Sequence, residues 1–172
     1  MTEYEEHEER VEEIELDPIL LERYMKKLRD KQSPAGAVIG GLVAALFGAG
    51  IWAGITYATN TKFGLVALLI GVMAGYGVRI FGKGIDTHYR YIGAFLALVG
   101  CVAGTILTVA LLLNKAKGVP VADLLFNPRF IVAVMKNTQP FDYLFYAIGI
   151  YEGYQFSLVE IDPEEMIRET RA

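Results

Sequence analysis

Long apolar runs set between short polar segments dominate the chain. Residues 34–57 and 91–113 contain no Asp, Glu, Lys or Arg, and residues 63–81 contain one, Arg79, near the end of the run. A helix of about 20 apolar residues crosses a hydrocarbon core of roughly 30 Å, so each of these runs predicts a membrane span. A fourth run, residues 141–159, carries Asp142 and Glu152. It reads as a fourth span, with an amphipathic helix lying at the interface as the alternative. Asp17-Pro18, Ser33-Pro34, Asn127-Pro128 and Asp162-Pro163 each place a capping side chain before a proline, which predicts four helix starts. After the first of them Leu20, Leu21, Tyr24, Met25 and Leu28 recur at spacings of three and four. Residues 17–32 are thus expected to form an amphipathic helix whose stripe lies on a membrane surface or on a partner helix. Residues 120–137 predict an outer amphipathic segment. The expected fold is an all-α integral membrane protein, a four-transmembrane-helix bundle over residues 33–159 with short amphipathic helices added.

Charge sharpens the division. Residues 1–16 hold eight Glu and one Arg, while residues 160–172 hold five acidic and two basic groups. Both are read as acidic cytoplasmic tails, the first of them disordered because it has too little apolar surface to fold alone. Residues 32–159 hold only twelve charges in 128 positions. With four spans and a cytoplasmic N-terminus, eleven of the sixteen Lys and Arg fall on the inner side, as the positive-inside rule asks. The expected location is the bacterial inner membrane, multi-pass, with both termini cytoplasmic. No basic stripe with interleaved aromatics is present, which excludes a nucleic-acid partner, and a single Cys excludes a disulfide scaffold.

Two stretches repeat a pattern. Residues 70–76 and 148–154 both read I-G-x-x-x-G-Y at an offset of 78, and the first and third runs align more loosely at an offset of 53. Two like-oriented helical hairpins, related by an axis along the membrane normal, are one arrangement this spacing allows. Small residues also recur at every fourth position, which puts them on one helix face. Gly40, Gly48, Gly71, Gly75, Gly100, Gly104, Gly149 and Gly153 are the candidate helix-packing positions, and Gly50-x-x-x-Gly54 adds a further face. Such faces serve packing within one bundle or contact with other subunits.

Reactive chemistry is sparse. Glu152 lies at membrane depth, where a charge is costly and must face protein or water. It reads either as a proton or cation site or as one half of a structural pair. Arg79 is the expected partner, and Tyr146, Tyr151 and Tyr154 are candidates to serve the carboxylate. If Glu152 and Arg79 pair, the stability losses of Glu152→Gln and Arg79→Gln should be far from additive. Lys83 and Arg90 flank the second connection and could contact a lipid headgroup. His88 and Cys101 have no companions at metal-ligand spacing, and no nucleophile–base–orienter set exists. No catalytic, metal or cofactor-binding residue is therefore assigned.

The stretches GVRIFGKGID, YIGAFLALVGCVAG and FDYLFYAIGIYEGYQFS resemble a bacterial family of small multi-span membrane proteins. The resemblance covers about residues 36–159. It implies a membrane location behind a variable cytoplasmic segment and carries no function. The function expected from the residues is a non-enzymatic scaffold or accessory subunit, with the bilayer and other membrane subunits, or further copies of itself, as partners. A small channel or transporter with a polar track around Glu152 is the alternative.

Overall fold

The computed structural model describes residues 17–61 and 64–171. The acidic segment 1–16 lies outside the described residues. Among these residues the chain is all-helical: α1 (Pro18–Asp30), α2 (Pro34–Thr59), α3 (Val66–Gly82), α4 (His88–Lys117), α5 (Val121–Leu125), α6 (Pro128–Lys136), α7 (Pro140–Gln155) and α8 (Pro163–Thr170). Contacts divide it into two units, one of residues 33–159 and one of the segments on either side.

All four Xaa-Pro pairs start helices. Asp17 accepts from the N–H of Ile19, Ser33 from Gly36, Asn127 from Arg129 and Phe130, and Asp162 from Glu164. Each cap satisfies a donor that the first helical turn leaves without a partner. Asp142 belongs to the same class. Its carboxylate accepts from the Gln139 N–H at 3.3 Å, so this charge closes the start of α7 and lies at the positive end of its dipole.

In the larger unit α2, α3 and α4 all touch one another, while α7 packs on α3 and α4 and does not reach α2. The contacts fix the directions. Along α2 and α4, Gly41 meets Leu96, Ala45 meets Gly100, and Ala49 and Trp52 meet Gly104, so these two helices run parallel. Along α3 and α7, Gly71 meets Gly149 and Gly75 meets Gly153, again in parallel. Neighbours in sequence are antiparallel. Lys115 joins the far ends of α2 and α4: its Nζ donates to the Tyr57 carbonyl at 3.2 Å and to Asn60 Oδ1 at 3.1 Å. At the other end the Ser33 N–H donates to the Gly82 carbonyl and the Val159 N–H to the Gly84 carbonyl. Both flanks of the unit therefore leave from one end.

A closed twofold arrangement of two hairpins is not formed. That symmetry would convert the α3–α4 contact into an α7–α2 contact, which is absent among the described residues. What the repeat does give is self-packing, because each I-G-x-x-x-G-Y copy lies against the other.

The core inverts the usual order of size. Among the described residues eight of seventeen buried apolar residues are alanine, from Ala37 to Ala110, and glycines add further close contacts between helices. Ile39, Val43, Phe47, Ile80, Phe81, Phe95 and Leu144 point outward. A core in water buries its largest apolar groups, whereas helices in lipid gain from close backbone approach. Two helices, α2 with 26 residues and α4 with 30, are long and apolar enough to cross a membrane. The expectation of four such helices is met only in part. α3 has 17 residues because the chain is still in a turn at Gly64 and Leu65, and α7 has 16 because it ends at Gln155.

Residues 120–137, expected as an outer amphipathic segment, form α5 and α6, which fold against α4. In the smaller unit, the C-terminal stretch read as an acidic tail is helical. α8 packs on α1, so the partner helix for the α1 stripe comes from the same chain. The Asp17 N–H donates to the Thr170 carbonyl at 3.0 Å, and Lys27 meets Glu169 at 3.2 Å. That exposed ion pair adds little; the buried Tyr24 is the anchor. Burial first, then the carboxylates of Glu165, Glu169 and Asp162, push the Tyr24 phenol above its ordinary value, with Lys27 opposing. The folded pair thus favours the neutral phenol. This contribution is fully present below the ordinary tyrosine pKa of about 10 and is lost as the pH rises beyond it. In ¹³C NMR the Tyr24 Cζ resonance should titrate later than an exposed tyrosine, and Glu165→Gln with Glu169→Gln should bring the midpoint back down.

Candidate functional site

The structure draws its candidate groups into three places. The first is the contact between α3 and α7. A Cβ on Gly71 would overlap the Gly149 carbonyl, and one on Gly149 would lie 2.8 Å from the Ala67 carbonyl oxygen. Gly153 sits 2.7 Å, by the same measure, from the Gly93 carbonyl oxygen. All eight glycines proposed from the sequence lie in contacts between helices. Gly40 is under the Phe81 ring, Gly48 against Ile70 and Met73, Gly75 against Phe156, Gly100 against Ile70 and Ala45, and Gly104 against Trp52. Gly77 and Gly93 belong to the same network and were not singled out by the four-residue rule. Gly77 falls two residues after Gly75, on the face that meets α2.

Gly50 and Gly54 differ from these. A Cβ at either meets nothing within 4 Å. Among the helical glycines of the described residues they alone face open space.

The second place is Glu152. It is half-buried on α7 and has no ion pair or side-chain hydrogen bond among the described residues. The expected pair with Arg79 is not seen among the described residues. The parallel register sets Arg79 level with residue 157, the same five-residue offset from Glu152 that the repeat implies. The tyrosines do not gather around the carboxylate either. Tyr146 bonds to Thr105. Tyr151 is 58% exposed and accepts from Gln155 at 2.8 Å. Tyr154 stacks edge-on to Tyr91 and lies 5.1 Å under the Arg90 guanidinium. Among the described residues these tyrosines make their hydrogen bonds and ring contacts with groups other than Glu152. Arg90 is thereby engaged by an aromatic face, while Lys83, exposed in the left-handed C-cap of α3 at φ 49°, stands across the same turn.

The third place was not anticipated. Trp52, Thr56, Thr105, Thr108 and Tyr146 are all buried in the half of the bundle near the α2–α4 ends. Thr105 donates to the Cys101 carbonyl at 3.1 Å and also meets the Tyr146 hydroxyl. A signal was available in the i, i+4 spacing of Trp52 and Thr56 and the i, i+3 spacing of Thr105 and Thr108. Hydroxyls in apolar runs are easily passed over because they carry no charge.

Among the described residues no group of three or more His, Cys, Asp or Glu could hold a metal ion. The chain matches no protein-family model, no curated protein and no solved structure. The resemblance to small multi-span proteins therefore stands on the quoted stretches alone.

Two outcomes follow from this geometry. Gly71→Ala and Gly149→Ala should each cost about 1–3 kcal/mol by overpacking against backbone, whereas Gly50→Ala should be neutral or gain up to about 1 kcal/mol from helix propensity. Unfolding in mixed micelles measures both. The losses of Glu152→Gln and Arg79→Gln should add within about 0.5 kcal/mol, and strong coupling between them would contradict the separation described above.

Proposed function

We propose that the unit of residues 33–159 is a four-span bundle of the bacterial inner membrane, and that it serves as a non-enzymatic scaffold or accessory subunit. In this reading α3 and α7 cross as partners of the longer α2 and α4, their short apolar lengths completed by the flanking residues 64–65 and 156–159. The outward-facing Ile, Val, Leu and Phe side chains meet lipid, which removes the penalty that water would impose on so large an apolar surface. The end that carries the Gly82–Gly84 turn, Arg79, Lys83 and Arg90 lies on the cytoplasmic side, as its charge favours.

The observation that carries the assembly role is the open Gly50–Gly54 face. Glycine inside a helix costs about 0.5–1 kcal/mol relative to alanine. The other helical glycines offset that cost with a close neighbour, and these two have none among the described residues. A helix from another membrane subunit, or from a second copy, supplies the missing contact. The half-buried, unpaired Glu152 favours the channel or transporter reading as the second choice, with the rest of the polar track coming from a neighbouring copy.

Gentle extraction from the native membrane followed by native mass spectrometry tests the first reading. Companions or copies at fixed stoichiometry are expected, and Gly50→Leu with Gly54→Leu should release them while the helical content is unchanged. A chain that is monomeric and alone in its native membrane would refute the role. Ion or solute flux in proteoliposomes that falls on Glu152→Gln would favour the second reading instead.

A further inference from the structure

Three polar atoms in the larger unit's far half are buried without a hydrogen-bond partner among the described residues: Trp52 Nε1, Thr56 Oγ1 and Thr108 Oγ1. Their side chains are 4%, 1% and 2% exposed, respectively. A threonine buried in a helix usually returns its hydroxyl to the carbonyl four residues back, as Thr105 does to Cys101. Thr56 and Thr108 do not.

The three atoms belong to one neighbourhood. Trp52 packs over Gly104, with its Cε3 2.8 Å from where a Cβ would stand. Thr56 lies one turn beyond Trp52 on α2, and Thr108 one turn beyond Gly104 on α4. Because α2 and α4 run parallel, with Ala45 on Gly100 and Ala49 on Gly104, Thr56 and Thr108 lie within about one turn of each other along the same contact. Trp52 also shares a buried cluster with Ala67, Ile70, Cys101 and Tyr146, which brings the Tyr146–Thr105 hydrogen bond alongside. The Thr105 hydrogen is used on the Cys101 carbonyl, so Tyr146 is the donor to Thr105. The Tyr146 oxygen keeps an acceptor lone pair free.

We propose that Trp52, Thr56, Thr108 and Tyr146 line an internal site, between α2, α4 and α7, that binds water. The chemistry selects the ligand. The indole N–H needs an acceptor, the Tyr146 oxygen can take a donor, and the two threonine hydroxyls can do either. A ligand that both donates and accepts, to between two and four partners, meets these needs. All four lining groups are neutral and so offer no compensation for the desolvation of an ion. The inference stands on the packing of the helices and not on the proposed assembly role.

Trp52 is the single tryptophan of the chain, which makes the test direct. The full chain in lipid nanodiscs, labelled at the indole nitrogen, should show a cross-relaxation peak between Trp52 Nε1–H and water. Thr56→Val combined with Thr108→Val keeps the shape and removes the hydroxyls. It should weaken that peak and shift Trp52 emission to shorter wavelength, and Thr56→Ser with Thr108→Ser should restore both. Absence of the peak in the wild-type chain would overturn the proposal. So would a double valine chain with unchanged emission and higher thermal stability, the result expected when bare unpaired hydroxyls are removed. If the double valine chain does not fold, the wild-type peak alone decides.

Discussion

The close approach of backbones at Gly71 and Gly149 is the constraint on which the rest of the bundle depends. Neither position can carry even a methyl group without driving into a carbonyl of the other helix or of α3 itself. That contact fixes the parallel register of α3 and α7, and the register in turn places Gly153 against Gly93 and Ala97 on α4. From there the alanines and glycines of α4 set the register of α2 through Gly100 and Gly104. Dispersion and weak Cα–H···O contacts hold such an interface, and both fall away steeply with distance. One inserted carbon therefore acts on several helices at once.

Much of this was legible in the sequence, for physical reasons that can be named. The capping pairs at Asp17, Ser33, Asn127 and Asp162 are local signals, since a side chain two or three residues from its target needs no knowledge of the fold. The boundaries of α2 and α4 follow from composition in the same way. The glycine positions were found because period-four spacing survives into three dimensions. What could not be read is what requires the register. The alignment of the two hairpins gave the observed five-residue offset between Glu152 and Arg79, but not the direction in which the guanidinium turns. The partner of the α1 stripe lies more than a hundred residues away in α8, where an acidic composition suggested an unstructured tail. The hydroxyls of Thr56 and Thr108 became conspicuous only when their burial and lack of partners were seen.

The three features of the larger unit are separable. Its interior glycines hold four helices together, its exterior presents large apolar side chains, and its two open glycines offer a surface that the other described residues leave uncovered. The smaller unit is different in kind, a pair of capped amphipathic helices of opposite net charge joined over Tyr24. Both units, as described, are held by contacts between helices rather than by charge.

The contact pattern of the four long helices also bears on how the chain is made. α2, α3 and α4 each touch the other two, so three helices can settle together while the remainder is still being synthesised. α7 touches only α3 and α4 and arrives last of the four. Until residue 155 has left the ribosome, the glycine track of α3 at Gly71 and Gly75 is an open furrow, shaped for a helix that has not yet appeared.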